Sequence, residues 1–249
     1  MPRLAIADGF VQHARSAETL DQLHCSLIQC CADMNLRYFA LLHHVDFARA
    51  GAEVVRLHNY PASWQGWFDE NRLGTSDPVL RASHSASIGF PWSAVPRMIK
   101  LTAADQSVLS QARIVGIGDG FTVPVHVPGE INGSCSFAVP VGEEFPTSLY
   151  PIAQLIGGFA FEAARRISHR RGMWTVGRPT LTDRQIDCVL WAARGKTDLE
   201  ISIILGISHE TVIQHLKMAR ERYGVQKRAM LAVRALFDGL ISFSDILKF

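Results

Sequence analysis

The chain has 249 residues, 48% apolar, 19% charged and 9% aromatic, with a formal net charge of +2. That length suits one or two domains with a buried core, and the composition excludes a mainly disordered chain. No apolar run is long enough for a transmembrane helix, and Asp8 interrupts the N-terminus before a signal-peptide core could form, so a cytoplasmic chain is expected. Five cysteines, without a C-x-x-C pair, point to reduced thiols rather than a disulfide frame or a zinc site. The small net charge hides a split. Residues 1–164 carry 10 basic against 15 acidic side chains, and residues 165–249 carry 15 against 8. An acidic front and a basic rear suggest two domains, the rear being the one suited to a polyanion.

In chain order, Leu20, Leu23, Leu27, Cys31 and Met34 recur at helical spacing and predict an amphipathic helix. Residues 38–47 and 54–60 are short, rich in β-formers and separated by a turn containing Gly51, which predicts a strand pair. Pro61 suits the first turn of a helix running to about Arg72, and Asp77-Pro78 the start of another. Residues 88–92 read as a strand, and Thr102 as the cap of a helix over 102–112. Residues 121–127 and 133–141 form the clearest hairpin, followed by a helix over 148–168 that Gly157-Gly158 weakens. The basic, glycine-bearing stretch 168–179 is the linker candidate. Boundaries follow at 1–170, 171–179 for the linker, and 180–249. The fold class is α+β: an N-terminal α/β/α sandwich on an antiparallel sheet of some five strands, then an all-α domain of four helices.

In the rear, Thr182 with Gln185 and Thr197 with Glu200 have capping-box spacing. Gly195 ends the first helix and Gly206 the second, whose apolar face is Ile201, Ile204 and Leu205. Ser208 caps a third helix in which Val212, Leu216 and Ala219 turn inward. Its other face offers His209, Glu210, Ile213, Gln214, Lys217, Arg220 and Arg222. Two helices around a glycine-bearing turn, the second with a polar face, make a helix-turn-helix for the DNA major groove. Base readout is assigned among His209, Glu210, Gln214 and Lys217. Arg220 and Arg222 are read as phosphate contacts, as Lys217 also can be. Thr211 stands between capping and DNA contact, and each of these residues could also be plain solvated surface.

The run G-K-T-x-x-E-I, L-G-I-S-x-x-T-V, H-L-x-x-A-R and Y-G-V closely resembles the DNA-binding domain of LuxR-type quorum-sensing transcription factors. Gln185 departs from the family's usual Glu, keeping the capping acceptor without its charge. On that resemblance the DNA-binding set is Thr197, Ser208, His209, Glu210, Thr211, Gln214, Lys217 and Arg220.

In the front, Tyr60, Trp64 and Phe68 are spaced to share one helical face, with Trp67 at its edge. Their bland reading is core packing, and that of Asp77 is a helix cap before Pro78. The frame Y-P-x-x-W, D-P, P-x-W and G-x-G-x-G-F-T-V-P-V, however, looks like the acyl-homoserine-lactone-binding domain of the same family, a PAS/GAF-like fold. The resemblance implies that Trp64 donates to a lactone carbonyl, Asp77 accepts from the ligand amide, and Tyr60 donates to the amide carbonyl. It implies further that Trp92 packs on the lactone ring, Gly120 lets the backbone approach, and Ser136 adds a hydroxyl. Phe68 replaces the family's common Tyr.

The resulting expectation is a ligand-responsive regulator with an N-acyl-homoserine lactone as ligand and no cofactor or metal. Its partners are a pseudo-palindromic duplex, a second copy of the chain in a homodimer and, as a candidate, RNA polymerase. The alternative is a regulator of the same build answering a non-lactone or atypical acyl molecule. An enzyme is disfavoured because no nucleophile elbow, P-loop or H-E-x-x-H pattern occurs, and His43-His44 reads as half-buried strand filler. A phosphorylated receiver domain is disfavoured for want of an acidic pocket.

Overall fold

The computed structural model describes residues 3–48, 54–128, 130–170 and 179–247. The chain forms two compact units, one of residues 1–126 and 131–175 and the other of residues 127–130 and 176–249. Of the expected linker, residues 171–178 are outside the described residues, as is the turn at Gly51. No described helix is long and apolar enough to cross a membrane.

The first unit is built on one antiparallel sheet. Its strands are β1 (Tyr38–His43), β2 (Arg56–His58), β3 (Phe90–Pro91), β4 (Ile117–Val125) and β5 (Gly133–Pro140), in the order β2-β1-β5-β4-β3. Pairing aligns Phe39, Phe137 and Phe121 across three strands, and likewise Leu41, Cys135 and Val123. Because successive side chains alternate in direction, these bulky residues share one face. Helices α1 (Arg3–Ser16), α2 (Leu20–Asp33) and α7 (Tyr150–Arg170) cover it, and together they form the main core. Gly157 is the reason α7 can lie so close: a Cβ there would stand 2.9 Å from Val123 Cβ. Gly157 therefore seats the helix, which runs unbroken through both glycines.

The opposite face carries Ala40, Ser136 and Thr122 in one cross-strand row, with Gly120 and Ala138 beside it. Four helices cover this face: α3 (Ala62–Glu70), α4 (Pro78–Ser83), α5 (Val95–Met98) and α6 (Ala103–Ile114). Asp77 caps α4 with Pro78 at its first position, and Thr102 with Asp105 forms a capping box on α6.

Several expectations need correction. Helix α1 was not anticipated, and neither were α5 and the 3-10 turns at Trp92–Ala94 and Thr147–Leu149. The strand expected over 88–92 is only two residues long. Strand β4 starts at Ile117, four residues early, across a register shift between Ile117 and Gly120. His43 and His44 are both buried, not half-buried.

The second unit holds α8 (Asp183–Ala193), α9 (Asp198–Leu205), α10 (His209–Arg222), α11 (Arg228–Phe237) and α12 (Phe243–Leu247), so a short fifth helix follows the four expected. Both capping boxes form. Gly206 adopts φ +65 at the end of α9, a left-handed turn that glycine takes without a Cβ clash. Ile201, Val212, Leu216, Ala219, Leu231 and Ala235 meet in the core. Ile204 does not join them. It and Ile203 are exposed, because α9 is apolar on nearly all sides and only Ile201 and half-buried Leu205 meet α8 and α10.

Candidate functional site

Small side chains on one face of the sheet leave room that α3, α4 and α6 do not fill. The result is a narrow, mostly apolar hollow of about 50 Å3. Tyr60, Trp64, Phe68, Asp77, Trp92 and Ser136 all line it, together with Ala40, Leu42, Val79, Leu80, Val108, Leu109, Ala112 and Ile117. Six of the seven candidate ligand residues are thus brought together.

Gly120, the seventh, does not line the hollow. A Cβ there would meet Trp92 Cε2 at 2.6 Å and Phe137 O at 2.7 Å. Its place is beneath the Trp92 indole, which can lie on the strand only because Gly120 has no side chain.

Asp77 is 7% exposed and accepts hydrogen bonds from the amides of Val79 (2.8 Å) and Leu80 (3.1 Å), both through Oδ1. Burial raises its carboxyl to about 6, against the pull of those two amides. The bland reading as a helix cap is therefore correct but incomplete, because the same carboxylate also borders the hollow with Oδ2 taking no described hydrogen bond. Trp64 is buried at one turn's spacing from Phe68, their rings 6.0 Å apart. The Trp64 indole N–H and the Tyr60 hydroxyl donate to no protein group among the described residues. Tyr60 precedes α3 and packs on Tyr38 at 5.8 Å. Burial, and then the nearby Asp77 carboxylate, push its phenol well above the usual range.

Trp92 donates its indole N–H to Thr122 Oγ1 at 2.8 Å, and that hydroxyl meets Ser136 Oγ at 2.8 Å. Sequence reasoning missed Thr122 as well as the apolar lining from α4 and α6. Alternation along β4 was the available signal, since it puts Thr122 on the same face as Gly120. Beyond the other end of α4, His44 on the segment after β1 lies 2.9 Å from both His84 Nε2 and Ser134 Oγ. His126 Nε2 donates to the Ser83 carbonyl at 3.1 Å. Burial, followed by the neighbouring imidazoles, lowers His44 to about 3, and burial lowers His43 to about 4. Among the described residues no cluster of His, Cys, Asp or Glu could hold a metal ion.

In the second unit, α10 exposes His209, Glu210, Gln214 and Lys217 along one side. Thr197 spends its hydroxyl on Glu200 in the α9 capping box. Ser208 accepts the Thr211 amide at 3.1 Å, and the two hydroxyls meet at 3.0 Å. Arg220 is half-buried. Arg222 is exposed and donates to the Thr180 carbonyl and to buried Gln185 Oε1, which ties the end of α10 to the start of α8. Arg228 similarly joins the start of α11 to Asp198 and the Lys196 carbonyl.

Residues 19–164 match the family described as autoinducer binding domain, and residues 179–235 the bacterial regulatory proteins of the luxR family. The transcriptional activator protein AhyR of Aeromonas hydrophila is 25% identical over 93% of this chain and 90% of its own length. Two solved structures share the fold. SdiA of Escherichia coli superposes with a TM-score of 0.70 at 23% identity, over 96% of this chain and 98% of that one. SdiA in complex with octanoyl-rac-glycerol superposes with a TM-score of 0.69 at 23% identity, over 97% and 98%. The curated relatives are transcriptional activators rather than enzymes. The hollow, the helix-turn-helix and these matches lead to one conclusion: the chain belongs to the LuxR family of autoinducer-binding transcriptional regulators.

Proposed function

We propose that residues 1–170 bind an N-acyl-homoserine lactone and that residues 180–249, joined through 171–179, bind a pseudo-palindromic duplex as a homodimer. The observation that carries the ligand reading is the meeting of three polar groups in an otherwise apolar hollow. These are the Asp77 carboxylate and the indole and phenol donors of Trp64 and Tyr60, the last two without protein partners among the described residues. A lactone amide offers one N–H and two carbonyls beside an apolar tail, so each polar atom finds a partner of the opposite kind. That matters because a buried polar group without one costs about 1–3 kcal/mol. Trp64 would donate to the ring carbonyl, Tyr60 to the amide carbonyl, and Asp77 would accept the amide N–H. Trp92 would pack on the ring and Phe68 along the tail, with Ser136 acting through Thr122.

On the duplex, His209, Glu210, Gln214 and Lys217 would face base edges, while Arg220 would meet phosphate. Thr197, Ser208 and Thr211 would act at helix ends, where free amides favour a phosphate oxygen. The protein would work in the cytoplasm, with RNA polymerase as a further partner.

A lactone that fills the hollow binds only the folded state and therefore stabilises it. Thermal melting of the full chain with a panel of N-acyl-homoserine lactones should give a higher Tm for at least one of them. Equal melting with every lactone would contradict the proposal. A second reading, an atypical acyl ligand, is favoured by Phe68, which removes a hydroxyl from the hollow, and by the acylglycerol named in the SdiA complex. A shift with a monoacylglycerol and none with lactones would select it.

A further inference from the structure

The hollow does not stand alone. A larger groove of about 740 Å3 adjoins it, and Trp92, Leu109 and Ala112 line both. The partition between the two is thus a single layer of side chains. Its α6 part is Leu109 and Ala112, one turn apart, and Ala112 contributes only a methyl group. The groove beyond is lined by the apolar side chains of Pro96, Val141, Phe145 and Tyr150 and by the charged side chains of Arg113, Asp119, Glu143 and Glu144. On the inner side, the hollow is polar at Asp77, Tyr60 and Trp64 and apolar along Val108, Leu109, Ala112 and Ile117. A ligand gripped by its polar head would have its chain against this apolar lining, which includes Leu109 and Ala112.

We propose that this receptor takes long-chain acyl ligands, whose tail passes between Leu109 and Ala112 and lies in the groove, and that these two residues set the chain length accepted. The inference rests on the lactone reading of the hollow. The volumes support it, since the hollow has little room to spare whereas the groove is far larger.

The test measures binding of straight-chain N-acyl-homoserine lactones of roughly 4 to 14 carbons to the full chain and to two variants, Ala112→Leu and Leu109→Trp. Each buried methylene is worth ~0.8 kcal/mol, or about fourfold in affinity. The wild-type affinity should keep climbing with length by about that factor, beyond the point at which the hollow is full. In the variants it should level off at that point. A free-protein Tm close to that of the wild type shows that each variant is folded. A wild-type affinity that peaks at short chains and falls for long ones would overturn the proposal. So would an equal loss at every length in both variants. Failure of the wild type to bind any lactone would overturn the lactone reading itself, a different outcome from either.

Discussion

The two faces of the central sheet are made by the same strands and behave as opposites. Towards α1, α2 and α7 the strands present Phe39, Leu41, Phe121, Val123, Cys135 and Phe137, and that side is packed solid. Towards α3–α6 the same strands present Ala40, Gly120, Thr122, Ser136 and Ala138, and that side holds the hollow. A strand with period 2 can meet both demands within one short sequence, as S-C-S-F-A-V does in β5. Stability is thus concentrated on one face and ligand capacity on the other.

The sharpest way to break this contrast is to empty the packed side. Phe137→Ala should cost about 3–5 kcal/mol, the usual range for a buried phenylalanine, and lower the Tm with or without ligand. Ser136→Ala, its neighbour on the other face, should change the Tm of the free protein far less while weakening ligand binding. If the two substitutions destabilise the free protein equally, the contrast is wrong.

Acidification should have the next largest effect. His43 and His44 are held near 4 and 3, below the ordinary 6.5, so they stay neutral in the folded protein while the unfolded chain takes up protons. Their contribution is intact above pH 6.5 and is lost as pH falls towards 4 and 3. Asp77 works the other way. Its carboxyl is raised to about 6, so its ionised form costs stability above that pH, and the cost is relieved between 6 and 3.8. Since one pKa unit is worth about 1.4 kcal/mol, the histidines prevail, with a net loss on the order of 2–3 kcal/mol by pH 5. Melting curves at pH 7.5 and 5 check this. A Tm that is flat or rises at pH 5 would show the histidine cluster to be unimportant.

Asp77→Asn separates the cap from the charge. The amide oxygen can still accept from Val79 and Leu80, so the Tm of the free protein should move by less than about 1 kcal/mol equivalent. Ligand affinity should fall by roughly tenfold, the value of a charge-assisted over a neutral hydrogen bond. The weakening of wild-type binding below pH 6 should also disappear. Persistence of that pH dependence in the variant would place its origin elsewhere.

The smallest effect expected concerns the helical unit. Lys217 is exposed on α10. As a phosphate contact, Lys217→Ala should weaken binding about evenly across sequences and reduce the salt slope by about 1. A loss confined to one base position would make Lys217 a base reader.

Much of this was legible locally. The capping spacings at Thr182 and Thr197 and the Asp77-Pro78 helix start depend on neighbours within a turn, and all formed as read. What failed depended on partners far along the chain. Helix α1 buries Ala7, Phe10, Val11 and Ala14, half of them alanines, so its apolar stripe is faint until α7 covers it. Gly120 was read as a backbone approach to the ligand, yet its purpose is visible only once Trp92, 28 residues earlier, lies against it. Phe68 and Asp77 were recognisable as types, but their convergence with α6 on one hollow needed the fold.

The central claim is that the α3–α6 side of the sheet is completed by a ligand while the α1–α2–α7 side is complete without one. Hydrogen exchange of the full chain, with and without a lactone that raises its Tm, tests it most directly. The account predicts that ligand slows exchange in α3, α4 and α6, including the Val79 and Leu80 amides that bond to Asp77, and leaves α7 close to its unliganded rate. Equal slowing on both faces, or slowing in α7 alone, would contradict it.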